Sequence, residues 1–293
     1  MLDTELVAAY GLSDVTVTAL DTLVHDVFEV SCRQGRYALK RYHESRTVDD
    51  VAWEAAFVAH LVAAGAPVAA IVTGVDGAAV QRIGDRPAML FDWAPGSKPE
   101  PSRETYVLLG ATAARIHAAA DAFDAAAPRV AYDVELLIDA PLQQMRGQLN
   151  VVGRWKAALA LADRLKERLG DERLERGLCH IDLTLDNVHR DGAAMTAFDL
   201  DSAGECWRAF EPSGVLRYSA DHLQDWLEGY RGVRRFSKVD EAAVSTFAIA
   251  GDLRVAAWKL GVAGWSKGPP QLTMAELPSV VDRWLTLETT LLR

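Results

Sequence analysis

A chain reversal in the second half of the sequence, with polar residues at both ends, is the feature that most limits how this chain can fold. Two short strand-like segments, 187–190 and 194–198, flank Asp191-Gly192, and both turn residues tolerate the positive φ of a tight turn. The pattern predicts a β-hairpin and leaves the loop length open. Such a hairpin brings Asn187 and Asp199 to the same open end.

The residues just before this hairpin add a third polar side chain to the same place. His180 to Asn187 read H-x-D-L-x-x-x-N, and Asp199 follows twelve residues later. In kinase folds this order supplies a carboxylate that accepts the proton of an attacking hydroxyl, and two oxygen ligands for Mg²⁺. A turn or cap role is the usual explanation of an isolated Asp or Asn, but it does not explain the whole spacing. We therefore interpret the chain as a phosphotransferase in which Asp182 is the base and Asn187 and Asp199 bind magnesium.

A second group of candidate residues lies in the strand-rich first third of the chain. Alternating residues predict two strands, at 28–33 and 37–42, joined by a turn. In the second strand Ala38 and Lys40 share one face, which suits a flat adenine over the small side chain while the ammonium contacts its phosphates. The alternative is an ordinary surface Lys with its charge in water.

The helix that follows favours the nucleotide interpretation of Lys40. Thr47 to Asp50 predict a capped helix start and Gly65 a stop. The predicted apolar stripe between them consists of Val51, Ala55, Val58 and Val62. Glu54 lies on or beside this stripe, and a carboxylate that faces a sheet is costly unless it is paired. Lys40 is its natural partner, which is the Lys–Glu arrangement of kinases.

The densest run of proline and glycine, residues 94–101, divides the predicted elements into two groups. We predict an α+β protein with a small antiparallel-sheet lobe at 1–93, a hinge at 94–101 and a larger, mainly helical lobe at 102–293. A cleft between two such lobes is where cofactor sites tend to occur. The predicted helices of the second lobe cover about 102–120, 134–149, 154–169, 219–229, 239–260 and 276–292.

Composition excludes several other classes of protein. The net charge of −10 argues against a nucleic-acid partner, because phosphate contacts need a basic surface. No apolar run reaches membrane-spanning length, and the first residues lack the pattern of a signal peptide, so we expect a cytoplasmic protein without a membrane partner. The three cysteines are far apart and without metal-ligand spacing, so reduced thiols are expected. The oligomeric state is left open.

The acidic balance also bears on the substrate. Asp221, Asp225 and Glu228 follow one another at helical spacing, and together with the net charge they could attract and line a site for a cationic small molecule. A solvated helix face is the commoner explanation of such a run, and solubility alone explains the net charge equally well.

Taken together, these residues resemble the superfamily of aminoglycoside phosphotransferases, homoserine kinases and choline kinases. The resemblance covers nearly the whole chain, through Tyr37 to Tyr42, Glu54, Leu109 to His117, His180 to Asn187, Phe198 to Gly204, Trp207 to Phe210 and Leu227 to Tyr230. It implies a two-lobed protein-kinase-like fold. It also implies ATP and Mg²⁺ as cofactors and a hydroxyl of a small molecule as the acceptor.

In the first lobe, the resemblance implies that Lys40 contacts the ATP phosphates and that Glu54 orients Lys40. The segment of Phe91, Asp92 and Trp93 would present backbone groups to adenine.

In the second lobe, the resemblance implies Asp182 as base, Asn187 and Asp199 as metal ligands, and His180 as a support of the catalytic loop. One departure concerns the first strand pair, 21–27, which contains no glycine to cover the phosphates closely. Three further departures are Ile181 and Thr184, where relatives often carry Gly and His, and Glu211, where an Asp is common.

The leading hypothesis is a kinase that is ATP- and Mg²⁺-dependent and phosphorylates an aminoglycoside-type antibiotic, an amino alcohol such as homoserine, or a sugar. The alternative is a nucleotide-binding pseudokinase or regulatory module, suggested by the missing glycines but opposed by the intact set of polar residues. A D-x-D glycosyltransferase at Asp199 to Asp201 lacks the α/β pattern that binds a nucleotide sugar. A protein kinase lacks the Ala-Pro-Glu anchor after Asp199.

Overall fold

An antiparallel sheet between two helices forms the first part of the chain. The computed structural model describes residues 2–124, 130–262 and 270–291. The strands are β1 (Thr16–Ala19), β2 (Asp26–Cys32), β3 (Gly35–Arg41), β4 (Ile71–Val72), β5 (Gln81–Ile83) and β6 (Arg86–Asp92), and the helices are α1 (Leu2–Tyr10) and α2 (Val48–Ala63). In the sheet the strands are ordered β1-β2-β3-β6-β4, with β5 paired to β6.

The two faces of this sheet have different neighbours, which follows from the alternation of side chains along each strand. Val30 and Leu39 pack with Leu6 of α1, a helix that the sequence analysis did not predict. On the opposite face Met89 packs with Val51 of α2. Lys40 is one residue beyond Leu39 and so belongs to the face of α2.

Helix α2 begins and ends where the sequence predicts. The Thr47 side chain accepts a hydrogen bond from the backbone of Asp50, whose carboxylate accepts one from the backbone of Thr47, so a capping box is present. The chain leaves the helix at Gly65, where φ is +75°. One stripe assignment is wrong: Val62 is 38% exposed, and Leu61 is buried instead, because the stripe drifts around the helix over four turns.

The second part of the described chain is mainly helical. Its helices are α3 (Arg103–Ala120), a π-helical turn (Glu135–Asp139) that continues into α4 (Ala140–Gln144), α5 (Arg146–Val151), α6 (Trp155–Leu169), α7 (Ser213–Tyr218), α8 (Leu223–Arg231), α9 (Lys238–Lys259) and α10 (Leu277–Leu291). The strands are β7 (Arg176–Cys179), β8 (Val188–Asp191), β9 (Ala194–Ala197) and β10 (Gly204–Trp207), with β8 paired to β9 and β7 to β10. The predictions for α3, α6, α9 and α10 agree within one residue at each end that the structure describes, and residue 292 lies outside the described chain. The single helix predicted at 134–149 is divided into the π-helical turn, α4 and α5, and α7 was not predicted. Helix α8 begins later than predicted because Ala220–His222 forms a separate 3₁₀ turn.

Helices α3 and α8 approach each other backbone to backbone. A methyl group on Gly110 of α3 would lie 1.9 Å from the carbonyl oxygen of Trp226, and one on Gly229 of α8 would lie 1.9 Å from that of Val107. Only glycine leaves room for this contact. It sets the distance between the two helices that carry His117 and the acidic residues of α8.

The predicted two-part α+β architecture is confirmed, while the limits of the hinge at 94–101 stay a prediction. Across the ranges that the structure describes, every helix is too short or too polar to cross a bilayer.

Candidate active site

The hairpin of β8 and β9 has a two-residue loop. The register pairs Asp191 with Ala194, so the loop consists of Gly192 and Ala193. The turn therefore lies one residue later than the predicted Asp191-Gly192 pair, because Asp191 still belongs to β8. Gly192 adopts φ +59°, the backbone conformation that made glycine informative in the sequence.

The open end of this hairpin brings together the three polar residues that the sequence singles out. The backbone N–H of Phe198 donates to the carbonyl of Asn187 at 3.0 Å, which places Asp199 directly beyond the last strand contact. The Nδ2 group of Asn187 donates to the backbone oxygen of Asp182 at 2.8 Å and to its carboxylate at 3.0 Å. Both of these bonds use the side-chain nitrogen Nδ2, so the side-chain oxygen Oδ1 of Asn187 is the atom that suits a cation.

Asp182 has the electrostatic environment of a proton acceptor. Its side chain reaches solvent, yet the protein around it removes enough water to raise its pKa to about 6. The nearby charges of Asp199 and Asp201 act in the same direction, while His180 opposes them. A carboxylate of this pKa is mostly ionised at neutral pH and holds a proton better than an ordinary Asp, which suits general-base catalysis.

Lys40 lies among three carboxylates. Its Nζ is 2.5 Å from Asp199, 3.7 Å from Glu54 and 3.8 Å from Asp201. Burial disfavours the ammonium, but the three acids outweigh it and hold the pKa of Lys40 above its usual value. Burial also raises the pKa of Glu54, against the attraction of Lys40. Lys40 and Glu54 are thus at ion-pair distance, and Asp199 is a closer partner that the sequence did not indicate.

Asp201 is the site residue whose surroundings the sequence analysis missed. Its carboxylate lies 2.6 Å from Nε2 of His25 and 3.4 Å from Arg46, in addition to Lys40. Burial opposes its ionisation, but Lys40, His25 and Arg46 outweigh burial and hold the pKa of Asp201 well below its usual range. Its signal in the sequence was only its position two residues after Asp199.

The predicted catalytic loop, His180 to Asn187, is anchored at its start by Glu211. Its carboxylate accepts the backbone N–H groups of His180 at 2.9 Å and Ile181 at 3.0 Å. Ile181 has φ +75°, which is a strained conformation for a β-branched residue. This positive φ explains why glycine suits the position. The same carboxylate is 3.0 Å from Nε2 of His117, whose Nδ1 is 2.9 Å from the hydroxyl of Tyr230. The sequence marked Glu211 only as a departure from the family pattern.

His180 and the predicted adenine segment both have defined contacts. Nε2 of His180 is 2.9 Å from the carbonyl of Phe198, so this ring joins the catalytic loop to the hairpin. The N–H groups of Asp92 and Trp93 donate to the carbonyls of Ala70 at 2.9 Å and Arg36 at 3.2 Å. These donors are used within the protein. An adenine contact by the segment of Phe91 to Trp93 therefore stays a prediction.

Two of the three candidate acids, Asp225 and Glu228, are in contact with basic residues of the protein. Arg103 of α3 lies 2.6 Å from Glu228 and 3.7 Å from Asp225, and Asp225 is also 2.8 Å from His222. Asp221 lies in the 3₁₀ turn before α8. Because Arg103 offsets part of the charge, these contacts favour a structural role over a cation site, and substrate binding by the three acids stays a prediction.

The donor set at the hairpin end fits a hard divalent cation. Mg²⁺ prefers oxygen ligands, and the side-chain oxygen of Asn187 and the carboxylate of Asp199 supply them at the same end of the hairpin. The side chain of Asp199 is 41% exposed, so a hydrated ion can reach it. Lys40 beside Asp199 suits the phosphates of a nucleotide. These residues therefore fit Mg²⁺ with a nucleoside polyphosphate.

Comparison with other sequences gives a consistent result. A sequence model of the phosphotransferase enzyme family matches residues 18–241. A protein of Deinococcus radiodurans described as uncharacterized is 32% identical over 277 residues, which cover 86% of this chain and 78% of that protein. A homoserine kinase of Methylorubrum populi is 28% identical over 282 residues, which cover 90% of this chain and 85% of the relative.

Two solved structures share the fold. The amicoumacin kinase hAmiN, in complex with AMP-PNP, Ca²⁺ and Ami, superposes with a TM-score of 0.79 at 20% identity, covering 98% of this chain and 92% of that one. A microcompartment-associated aminopropanol kinase superposes with a TM-score of 0.76 at 19% identity, covering 97% and 93%. These likenesses confirm the protein-kinase-like fold that the sequence predicts.

Proposed function

This chain belongs to the phosphotransferase enzyme family, and we propose that it transfers the γ-phosphoryl group of ATP, with Mg²⁺, to a hydroxyl group of a small amine-bearing molecule. The observation that carries this proposal is the convergence of Asp182, Asn187, Asp199 and Lys40 at the open end of one hairpin. This set contains a base, two oxygen donors for a metal and a cation for the phosphates.

The chemistry assigns one task to each side chain. Asp182 accepts the proton of the acceptor hydroxyl while the hydroxyl oxygen bonds to the γ-phosphorus. The bond between the γ-phosphorus and the oxygen that bridges it to the β-phosphorus breaks, and ADP leaves. Lys40 holds the phosphates, and Glu54 keeps Lys40 in place. Bound Mg²⁺, held by Asn187 and Asp199, would neutralise charge on the phosphate oxygens.

Two lines of support point to an amine-bearing acceptor. Proteins similar to this chain include a homoserine kinase and an aminopropanol kinase, both named for substrates with an amine and an alcohol. The net charge of −10 favours encounter with a cation.

A coupled assay tests the proposal. Purified protein with Mg·ATP is screened against homoserine, aminopropanol, ethanolamine, choline, aminoglycosides and sugars, and ADP release and product mass are measured together. We expect ADP release with an amine-bearing alcohol, and a product heavier by one phosphoryl group. ATP binding without a phosphorylated product from any acceptor would favour the regulatory alternative instead.

A further inference from the structure

The connection between β1 and β2, residues 20–25, occupies the place where kinases carry a glycine-rich loop over the phosphates, and it contains no glycine. Leu20, Asp21 and Leu23 of this connection are exposed, and Thr22 and Val24 are half-buried. His25 is the exception, with only 5% of its surface exposed. The Thr22 hydroxyl donates to the His25 carbonyl at 2.6 Å, so the connection is braced at the same residue.

The contacts of the His25 ring fix which nitrogen carries the proton. The backbone N–H of His43 donates to Nδ1 at 3.0 Å, so Nδ1 is the acceptor and the hydrogen of the neutral ring is on Nε2. Nε2 lies 2.6 Å from the carboxylate of Asp201 and donates to it. The ring therefore links the segment just after β3, at His43, to the loop after β9, at Asp201.

Asp201 is placed to transmit that link to the metal site. It follows Asp199 by two residues, and its carboxylate also contacts Arg46 at 3.4 Å and Lys40 at 3.8 Å. Three separate segments of the first lobe thus meet one half-buried carboxylate of the second. A connection held at a fixed place needs less ordering when the ligand binds than a free one.

We propose that His25 is a positioning residue for the nucleotide triphosphate: by donating to Asp201 it holds the 20–25 connection over the phosphate site beside Asp199, in place of a glycine-rich loop. The inference rests on the proposed function, because it concerns the phosphate end of the same nucleotide site. The adenosine end, near β6, is not held by this link.

Two amide variants of His25 separate its two hydrogen bonds. Glutamine places an N–H near the position of Nε2 and retains a donor for Asp201. Asparagine keeps an acceptor near the position of Nδ1 for the His43 N–H but is too short to reach Asp201. His43→Ala is the matched control, since the His43 side chain contacts Ser45 and only its backbone contacts His25.

The measurement is calorimetric binding of Mg·AMP-PNP and, separately, of adenosine to each folded variant. We expect His25→Asn to weaken Mg·AMP-PNP binding about tenfold, the scale of one hydrogen bond to a charged group, without changing adenosine affinity. His25→Gln and His43→Ala should bind both ligands as the wild type does. If thermal melting shows that His25→Asn does not fold, His25→Phe, which fills the ring's space without a donor, takes its place.

Unchanged Mg·AMP-PNP affinity in the variant without the donor would overturn the inference. Equal losses for adenosine and Mg·AMP-PNP, or equal losses in the Gln and Asn variants, would also overturn it, because they would indicate general damage to the lobe. A wild-type protein that binds no Mg·AMP-PNP would refute the proposed function itself, and this inference with it.

Discussion

The residues at the hairpin end differ in how strongly their roles depend on neighbours. In the proposed role of base, Asp182 would need only a nearby acceptor hydroxyl and an unprotonated carboxylate. Lys40 depends on three acids, which together outweigh the cost of burying its charge. The predictions for these two residues therefore test different things.

Asp182→Asn should reduce kcat by about 10²–10⁴-fold, the usual contribution of general-base catalysis, because the amide cannot accept the hydroxyl proton. Binding of Mg·AMP-PNP and the melting temperature should change little. Asp186→Asn is the control, since this exposed residue four positions away contacts Lys98. A turnover rate that is equal in both variants would exclude Asp182 as the base.

Lys40 and Glu54 should behave as one unit, because removing Lys40 takes the neighbouring cation from the buried Glu54 carboxylate, and removing Glu54 takes away one of the three acids that hold Lys40. A double-mutant cycle with Lys40→Met and Glu54→Gln should show a coupling energy of about 0.5–3 kcal/mol in kcat/KM, as for residues in contact. The exposed pair Arg173 and Asp171, at 2.6 Å, serves as a reference that should leave kcat/KM unchanged. Strictly additive effects would mean that Glu54 does not orient Lys40.

At the scale of helices and strands, the predicted catalytic loop is positioned by elements far from it in the sequence. Helix α3 supplies His117, the turn before α7 supplies Glu211, and α8 supplies Tyr230, and these three residues form one buried chain of hydrogen bonds. The close approach of α3 and α8 at their glycines keeps this chain short. Both the packing and the protonation of this group are testable.

Gly229→Ala should destabilise the protein by about 1–3 kcal/mol or more, because the new methyl group overlaps the carbonyl of Val107 and the two helices must separate. Gly147→Ala in α5 is the matched control: nothing lies within 4 Å of its added methyl group. Alanine is a better helix former there by about 0.5–1 kcal/mol. Urea unfolding should therefore show opposite signs for the two substitutions. A neutral Gly229→Ala would contradict the close packing of α3 and α8.

Protonation of His117 should destabilise the fold in mild acid. Burial, helped by Arg208, lowers the pKa of His117 to about 4, although Glu211 opposes the shift. The unfolded chain binds this proton at about pH 6.5, so folding stability falls as the pH drops from about 6.5 to 4. Relative to pH 8, the loss at pH 5 should be about 2 kcal/mol.

The check is urea unfolding at several pH values for the wild type and for His117→Gln. The variant lacks the titrating ring, so its stability should depend less on pH in this window. Hydrogen bonds from His117 and His180 hold the pKa of Glu211 below its usual range despite its burial, so the contribution of Glu211 is lost only at lower pH. Parallel pH curves for the two proteins would refute the assignment to His117.

For the whole molecule, the net charge of −10 acts on any charged substrate at long range. The acids of α8 contribute to this field, but Arg103 compensates part of their charge. Attraction of a cation should therefore come from the protein as a whole rather than from one acidic surface.

With an acceptor that carries a net positive charge, kcat/KM should fall as salt rises, over the range in which the Debye length shrinks from about 30 to 8 Å. Joint replacement of Asp221, Asp225 and Glu228 by amides should leave most of this dependence in place. Loss of the dependence in the triple variant would instead identify these acids as the entry surface. Kinetics independent of salt in the wild type would point to a neutral or zwitterionic alcohol.

Local patterns in the sequence determined the elements that bring the site residues together. The turn at Gly192, the capping box at Thr47 and the alternation around Lys40 depend on residues a few positions apart, so their consequences can be derived without the fold. The convergence of Asn187 and Asp199 follows from one hairpin, and the Lys40–Glu54 pair follows from the cost of burying an unpaired charge.

Tertiary structure alone decided what holds these residues in place. Asp201 contacts His25 because the sheet connection and the loop after β9 meet in space, although 176 positions separate the two residues. Glu211 reaches the backbone of His180 across 31 positions, and no local pattern indicates which buried acid will do so. A buried carboxylate must find donors somewhere in the fold, but the sequence does not say which segment supplies them. The packing of α3, α8 and the sheet decides which segments supply these hydrogen-bond donors.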